Sequence, residues 1–438
     1  MTEKKLLVGF GRKKAMPETV MPLGGVGLVG REYTGVHDEL YITCVAITDA
    51  VGETVLMYTQ DFLKTEVYMI PIRKAISEAT GIDEANIMIA STHTHAAPAI
   101  YYDKVNGVET YRRICQNAAI EAAREALADR TETQITVGTV QAKGLAFCRH
   151  YIMPDGTVKK NPGKNATPVA HADDPDDTMQ LVCFTRSQKK DILLVGFNIH
   201  PCFYGQYKQT LISADAPASV RNYIEAKTDC LVAYFTGAAG NQTATSQLSN
   251  AEDIDCDTFG ARLGQLAVDA LPHLKPVAIT PIKLKTVTFT GKCNKERVDL
   301  YDQACEITEI HSTQGPPAHE PLLKKYGIAS AWEAYAIVKR YQSAETETIP
   351  LSAMSLGGLS FIFAPYEMFG PHGMYIKENT PNDMTFVVTC ANGCYYYMPT
   401  RKAYTYDVYE KLVARFAPGT AEDLVDTFLQ MLTDLKNN

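Results

Sequence analysis

Two histidines, His93 and His95, stand at the end of a short apolar run and could bind a metal ion or form a catalytic pair. The length of the run, residues 86–91, and its two isoleucines predict a buried strand. Residues two apart on a strand point to the same face, so both imidazoles would share a face if the strand continued. Pro98 then takes the chain out of the sheet. Because buried imidazoles without partners cost free energy, we expect a metal site or a catalytic pair here.

Four other strand-like runs are also followed by a polar residue or by a glycine-containing segment. These ends are Asp61, His200, the segment 237–242 and Glu367. Ligands of open α/β sheets bind outside the carboxyl ends of strands, so we expect these ends to converge on one pocket. Nitrogen and oxygen ligands from distant strands are typical of a catalytic zinc centre, although manganese, iron or nickel would suit them too. Each residue taken alone also has a purely structural interpretation, such as a hydrogen-bonded histidine or a tight turn.

The elements that would position these residues alternate between strand-like and helical patterns. Strands are predicted at 40–47, 54–59, 86–91, 191–199, 230–235, 360–363 and 385–388, and helices at 67–80, 109–127 and 219–227. Near-continuous apolar runs favour strands that are covered on both faces. We predict an α/β fold in which a mixed central sheet, or sheets, is flanked by helices within one large domain spanning residues 1–438. The polar, helical segment at about 295–350 could be an insertion or a lid.

Composition excludes several classes of function. Of the 438 residues, 46% are hydrophobic and 21% are charged, and the net charge of −8 is dispersed, which gives no basic surface for nucleic acid or membrane. No signal-peptide-like segment or membrane-spanning run is apparent. Eleven cysteines without a Cys-x-x-Cys pair argue for reduced, buried thiols and against a zinc finger. We predict a cytoplasmic protein whose partner is a small-molecule substrate, without stable membrane association; a homo-oligomer is left open.

Several segments together resemble the neutral, non-lysosomal ceramidase family. Residues 91–98, Ser-Thr-His-Thr-His-Ala-Ala-Pro, are similar to the family signature Gly-Thr-His-Thr-His-Ser-Gly-Pro. Residues 35–41, 212–215 and 392–410 are similar to its early Gly-x-His segment, its Ile-Ser-Ala-Asp segment and its late Asn-x-x-x-Gly-Tyr-Val-Thr-Thr region. The matches span roughly residues 8–415. The resemblance therefore implies the family's catalytic domain and one zinc ion per chain.

The resemblance also implies a role for each matching residue. The implied zinc ligands are His93, His200, Glu367 and Tyr397, and the residues that would face the scissile amide are His95, Arg149 and Tyr409. The residues themselves leave alternatives open. Arg149 could pair with an acid of segment 173–177, Tyr397 shares its run with Tyr395 and Tyr396, and Tyr409 could be an ordinary helix-face aromatic. We further expect Asp61 and Asp215 to orient a ligand histidine through its free ring nitrogen.

The sequence departs from the family at the pocket. Gly240 occupies the place of the serine in the family segment Gly-Asp-Val-Ser-Pro-Asn, and with Asn241 it is expected to line the substrate pocket. The family's β-sandwich domain and export signal are not expected here. We predict a zinc-dependent hydrolase in which activated water attacks a carbonyl, most simply an N-acyl amide of a small soluble substrate rather than membrane ceramide. Alternatives are a metal-dependent esterase, lactonase, lyase or isomerase acting on a polar metabolite, and a non-catalytic metal-binding protein with a closed coordination sphere.

Overall fold

The computed structural model describes residues 5–25, 31–64, 66–101, 105–205, 209–314 and 316–437, and in these a nine-stranded mixed sheet forms the centre of the fold. Its main strands are β1 (Leu7–Lys14), β2 (Tyr41–Thr48), β3 (Thr54–Gln60), β4 (Ile87–Ser91), β5 (Thr131–Gln141), β6 (Thr178–Arg186), β7 (Asp191–Phe197) and β8 (Cys230–Thr236). Their order is β8-β7-β6-β5-β1-β2-β3-β4, and the short strand Lys275–Pro276 pairs with β5. The pairs β7–β8 and β3–β4 are parallel, whereas the other neighbours are antiparallel.

Within the same described residues, a second sheet of four strands packs on the first. Its strands are β9 (Lys283–Lys292), β10 (Thr346–Leu356), β11 (Leu359–Phe363) and β12 (Met384–Val388), in sequence order, with β11 and β12 parallel. The inner faces of the two sheets share one buried apolar cluster. In it the rings of Phe235 on β8 and Phe386 on β12 meet edge to face at 5.9 Å. The second sheet thereby holds the end of β11 beside the ends of β4 and β7.

Helices lie on the outer faces of both sheets and in segments that connect the strands. They are α1 (Glu66–Thr80), α2 (Val108–Ala128), α3 (Ala216–Lys227), α4 (Cys256–Ala270), α5 (Tyr301–Gln314), α6 (Pro316–Tyr326), α7 (Ala331–Gln342), α8 (Gly370–Asn379), α9 (Tyr409–Leu412) and α10 (Thr420–Asn437). On α2, Cys115, Ala119, Ala122 and Ala126 recur three and four residues apart, so the helix presents a small apolar stripe that packs on β1 and β2. Helices α3 and α4 cover β7 and β8, and α10 covers β9 and β10.

The layered packing confirms the predicted α/β class and explains the continuous apolar runs. Strands β7 and β8 meet α3 and α4 on one face and the second sheet on the other, so neither face of these strands is solvated. The runs predicted as strands at 191–199 and 230–235 end slightly differently, at Phe197 and Thr236. The chain therefore leaves β7 before His200 and reaches this histidine through a loop.

The segment predicted at about 295–350 contains α5, α6 and α7, between β9 and β10. These helices enclose their own small apolar cluster, which includes Ala304, Ile337 and Ile328. Arg340 on α7 donates to the main-chain carbonyls of Lys411 and Leu412, at 3.1 and 2.8 Å. The segment thus supports the short helix α9, and its function as a lid stays a prediction.

In the described part of the chain, no helix combines the length and apolar character needed to cross a bilayer. The predicted cytoplasmic location stays a prediction.

Candidate metal centre

His93 lies just beyond β4, where the chain has already left the sheet. Its main-chain N–H donates to the carbonyl of Phe62 at 2.9 Å, and its φ of +65° is in the left-handed region that non-glycine residues rarely adopt. Thr236 donates to the carbonyl of Thr92 at 2.7 Å, and Thr94 donates to that of Ser213 at 2.8 Å. These bonds hold a strained turn, so the two histidines are presented by a loop and not, as a continuing strand would imply, by alternation along β4.

The other predicted ligands are held by equally specific main-chain contacts. His200 donates its N–H to the carbonyl of Gln242 at 3.2 Å. The two-residue strand Glu367–Met368 runs parallel to Tyr397–Met398, with Glu367 opposite Tyr397. This register places the carboxylate and the phenol side by side, although thirty positions separate them in the chain.

Four predicted ligands meet at one point. Oε2 of Glu367 lies 3.3 Å from Nε2 of His93 and 3.1 Å from Nε2 of His200, and the Tyr397 hydroxyl lies 3.3 Å from the same His200 nitrogen. Among the described residues, His93, His95 and His200 also each offer one ring nitrogen, and these three atoms lie within 4.8 Å of one another. His93, His200 and Glu367 are buried, whereas the His95 residue is partly exposed.

The hydrogen bonds of the ring nitrogens indicate which atoms of this cluster are left to bind a metal. Nδ1 of His93 bonds to the carbonyl of Leu63 at 2.8 Å, and Nδ1 of His200 bonds to that of Ala239 at 2.7 Å. A carbonyl only accepts, so each Nδ1 carries the proton and each neutral ring turns the lone pair of Nε2 toward Glu367. Lone pairs then face a carboxylate at close range, and a bound cation would satisfy all of them. The donor set fits a divalent metal such as zinc.

The pKa shifts favour neutral rings at His95 and His200 beside an ionised Glu367. Burial, with the nearby Arg149, lowers the pKa of His200 to about 3. Burial and the neighbouring His93 and His200 hold the pKa of His95 well below its usual range. Burial alone would raise the pKa of Glu367, but its charge and hydrogen-bond interactions with His93 and His200 hold it well below its ordinary value. The rings of His95 and His200 therefore carry no proton that would compete with a metal near neutral pH.

His95 is close to the cluster but bonded differently. Its Nδ1 lies 3.2 Å from the carbonyl of Gly25, and its ring centroid lies 5.1 Å from that of His93. Nε2 of His95 is buried and has no hydrogen-bond partner among the described residues. A Cβ at Gly205 would collide with that of His95, so the glycine lets the chain close around this ring. Because Nδ1 faces a carbonyl, the lone pair of Nε2 is available to accept a proton or to bind a metal.

Arg149 reaches the centre, but its partner is not an acid of segment 173–177. Its guanidinium forms a fully buried ion pair with Glu410 at 2.6 Å, donates to the carbonyl of Gly240 at 2.7 Å and lies over the Tyr397 ring at 5.4 Å from the centroid. Burial opposes the charge, but Glu410 raises the pKa of Arg149 above its ordinary value. The arginine is therefore a fixed cation beside the cluster.

The late tyrosines have distinct positions. Of the run 395–397, Tyr397 carries the hydroxyl that meets His200, while Tyr396 is 41% exposed and Tyr395 packs near Phe416. Tyr409 lies edge to face against Tyr397 at 5.9 Å, and Nζ of Lys160 lies 4.3 Å from the Tyr409 ring centroid. Tyr409 therefore faces the same centre, at the N-terminus of α9.

Gly240 and Asn241 both make close contacts within the protein. A Cβ at Gly240 would lie 2.7 Å from the carbonyl oxygen of Glu367 and 2.8 Å from that of Met368, so the position has no room for the serine of the resembled family. Oδ1 of Asn241 accepts from the N–H of Gly370, at the start of α8, at 2.8 Å. Contact of either residue with a substrate stays a prediction.

The expectation that Asp61 and Asp215 orient a ligand histidine is wrong. Asp61 accepts from the N–H of Tyr41 and pairs with Arg221 at 3.3 Å. Asp215 caps α3, accepting from the N–H of Ala216 at 2.8 Å. The rings of His93 and His200 are oriented instead by main-chain carbonyls, which accept the ring N–H in place of a carboxylate.

Glu410, Leu63 and Ala239 are the site residues that the sequence did not reveal. Glu410 is fully buried and pairs with both Arg149 and His150, at 2.6 and 2.9 Å. Its position beside Tyr409 was the only available signal. Leu63 and Ala239 contribute carbonyls, which every residue possesses and no sequence pattern can mark.

Two solved structures share this fold. They are neutral ceramidase from Pseudomonas aeruginosa and a ceramidase complexed with C2. Each has a TM-score of 0.72 and 16% sequence identity, and the alignment covers 99% of this chain and 75% of the other. No protein-family model and no curated protein matches the sequence. The predicted resemblance to a ceramidase is thus confirmed at the level of the fold.

Proposed function

We propose that this protein is a metal-dependent hydrolase that cleaves an amide of a small, polar N-acyl substrate. One observation carries the proposal: the bare Nε2 atoms of His93 and His200 converge on Oε2 of Glu367, at 3.3 and 3.1 Å, inside the protein. Without a cation this arrangement brings acceptors together, which is costly in a buried site. The shared fold with two proteins named ceramidase supports a hydrolase of this kind.

His93, His200, Glu367 and Tyr397 are the residues that would hold the ion. When bound, a divalent cation polarises a carbonyl and provides hydroxide at neutral pH. Zinc is our first choice, because imidazole and carboxylate ligands suit it. Tyr397 reaches the centre through its hydroxyl, 3.3 Å from His200.

His95 is the residue best placed to move a proton. Its Nδ1 faces the Gly25 carbonyl, so its Nε2 can take a proton from the attacking water and return it to the leaving nitrogen. The hydroxyl of Tyr409 can donate to the oxyanion that forms at the carbonyl, since burial raises the pKa of this phenol and keeps it protonated.

The charges beside the centre favour a polar substrate. Two cations, Arg149 and Lys160, lie beside one anion, Glu410, and Nζ of Lys160 is 3.7 Å from Oε1 of Glu410. The formal net charge of the three side chains is +1. An anionic or strongly polar group of the substrate would find a complementary cation there. A membrane-embedded acyl chain has no comparable reason to bind beside these charges.

Metal analysis of the purified protein tests the proposal directly. We expect His93→Ala and His200→Ala each to lose one equivalent of metal. His273→Ala, which changes an exposed histidine just beyond α4, should keep the wild-type content. Removal of metal with a chelator should abolish turnover, and added zinc should restore it.

A panel of N-acyl amines, esters, lactones and sugar acids then identifies the bond. Turnover of an N-acyl amine that depends on metal would support the amide assignment. Turnover confined to esters or lactones would replace it with the esterase alternative. Metal that stays bound without turnover of any panel member would favour a binding protein.

A further inference from the structure

A second group of metal-ligating side chains includes the two chain neighbours of Arg149. Cys148, His150 and Asp173 bring one sulfur, one ring nitrogen and one carboxylate oxygen within 4.8 Å of one another. Cys148 and His150 are fully buried. The strand Ala170–His171 pairs antiparallel with His150–Ile152, and the N–H of Ala172 donates to the carbonyl of His150 at 2.9 Å. This register carries Asp173 back toward Cys148.

The ring of His150 is prepared to bind a metal. Its Nε2 lies 2.9 Å from Oε2 of Glu410, which can only accept when ionised, so Nε2 carries the proton. Nδ1 then carries a lone pair, and this atom is buried without a hydrogen-bond partner among the described residues. A histidine that donates one nitrogen to a carboxylate and turns the other to a metal is the common arrangement around bound zinc.

Cys148 and Asp173 would supply the other two donors, a thiolate and a carboxylate. The buried thiol of Cys148 would release its proton on binding a cation, because the thiolate is the form that ligates metals. Oδ1 of Asp173 pairs with Lys402 at 2.6 Å, and a carboxylate has capacity for further partners. Tetrahedral zinc holds such ligand atoms about 3.5 Å apart, so a small contraction of the cluster would enclose the ion.

We propose that Cys148, His150 and Asp173 bind a second divalent cation of the zinc class, independent of the first centre. Thiolate and imidazole donors favour such a cation over magnesium or calcium. The site would be structural, because it joins the segment 147–152 to the segment 170–173. Arg149 lies between two of its ligands, so the second ion would fix the backbone that carries this guanidinium to the first centre.

Cobalt(II) distinguishes the two sites without any activity measurement. A thiolate bound to cobalt gives a sulfur-to-metal charge-transfer absorption in the near ultraviolet, which nitrogen and oxygen ligands do not. We expect this band in the full-length protein loaded with cobalt, its loss in Cys148→Ser, and its retention in His93→Ala. Cys390→Ser is the matched control, since its sulfur lies 3.5 Å from Nδ1 of His93, and it should keep the band.

Zinc content gives a second measurement. Wild type should bind two equivalents, while Cys148→Ser and His93→Ala should each bind one. If Cys148→Ser does not fold, Asp173→Asn keeps the sulfur and should bind cobalt at least about tenfold more weakly in competition with a chelator.

The absence of a thiolate band from cobalt-loaded wild type would overturn the second site, as would a band that survives Cys148→Ser and disappears in Cys390→Ser. Unchanged cobalt affinity in Asp173→Asn would remove this residue from the ligand set. These outcomes are separate from failure of the proposed function, which would appear as a thiolate band in a protein whose metal content does not change in His93→Ala.

Discussion

Nε2 of His200 lies 3.1 Å from Oε2 of Glu367, although Nδ1 of the same ring already bonds to the carbonyl of Ala239 at 2.7 Å. The neutral ring has one proton, and the carbonyl requires it. The contact with Glu367 is therefore between two acceptors, and the same relationship holds for His93. In our proposal these two histidines are metal ligands, and His95 is the histidine whose role an experiment must decide.

Replacement of His95 should separate metal binding from turnover. We expect His95→Ala to keep the wild-type metal content and to lose at least about 100-fold in kcat, because it removes the group that moves the proton. Elemental analysis and kinetics on the same preparation measure both quantities. Loss of the metal together with activity would mean that His95 is a ligand and that one of the other histidines has its role.

The ends of the strands were predictable because they follow from apolar periodicity. His93, His200 and Glu367 each follow a buried run, and the α/β arrangement brings such ends together. The partners of the ring nitrogens were not predictable, since Leu63 and Ala239 act through their carbonyls. Asp61 illustrates the resulting error, because a carboxylate at a strand end is equally suited to Arg221, which α3 brings to it.

The sequence pattern also could not predict the conformation of the loops. The strand predicted at 86–91 does end at Ser91, but the pattern gave no conformation for the turn beyond it, in which His93 has a positive φ. The turn exists because of tertiary hydrogen bonds, such as the one from His93 to Phe62, and not because of local residue preference. Strain of this kind is common where surrounding structure fixes a functional group.

Gly240 should not tolerate a side chain. Since a Cβ would press against the carbonyl oxygens of Glu367 and Met368, we expect Gly240→Ala to lower the free energy of unfolding by about 1–3 kcal/mol and to weaken metal binding by displacing Glu367. Urea denaturation and competition with a chelator measure the two effects. Gly35→Ala is the control, because its nearest neighbour is the end of the flexible Leu211 side chain at 3.1 Å. Equal behaviour of the two variants would contradict the packing explanation.

Asp215 should make stability depend on pH. Burial raises its pKa to about 6, against the opposing N–H groups of Tyr204 and Ala216. The folded protein therefore keeps this proton up to about pH 6 while the unfolded chain releases it near pH 4, so the free energy of unfolding falls as the pH rises between these values. A shift of about two pH units corresponds to roughly 3 kcal/mol.

Asp215→Asn keeps an acceptor at the helix cap but cannot titrate, so we expect it to lose this fall in stability. Urea denaturation from pH 4 to 7, with chelator present throughout, measures the difference between variant and wild type. Asp255→Asn, at the exposed cap of α4, is the control, because the pKa of Asp255 is lowered and its removal should not flatten the curve in the same direction. Parallel curves for wild type and Asp215→Asn would refute the assignment.

The buried pair of Arg149 and Glu410 should be strongly coupled. Glu410→Gln keeps an acceptor for His150 but leaves the Arg149 guanidinium without its counter-charge, and we expect a loss of about 3–5 kcal/mol in the free energy of unfolding. Arg149→Met should have a comparable cost, because it leaves Glu410 buried without its closest cation.

The double variant removes both charges together, so its cost should be well below the sum of the two single changes. Thermal and urea denaturation of the four proteins complete the cycle, with Glu252→Gln, whose exposed partner is Arg262, expected to change stability little. Additive costs would show that the charges act independently and that Glu410 does not hold Arg149 at the metal centre.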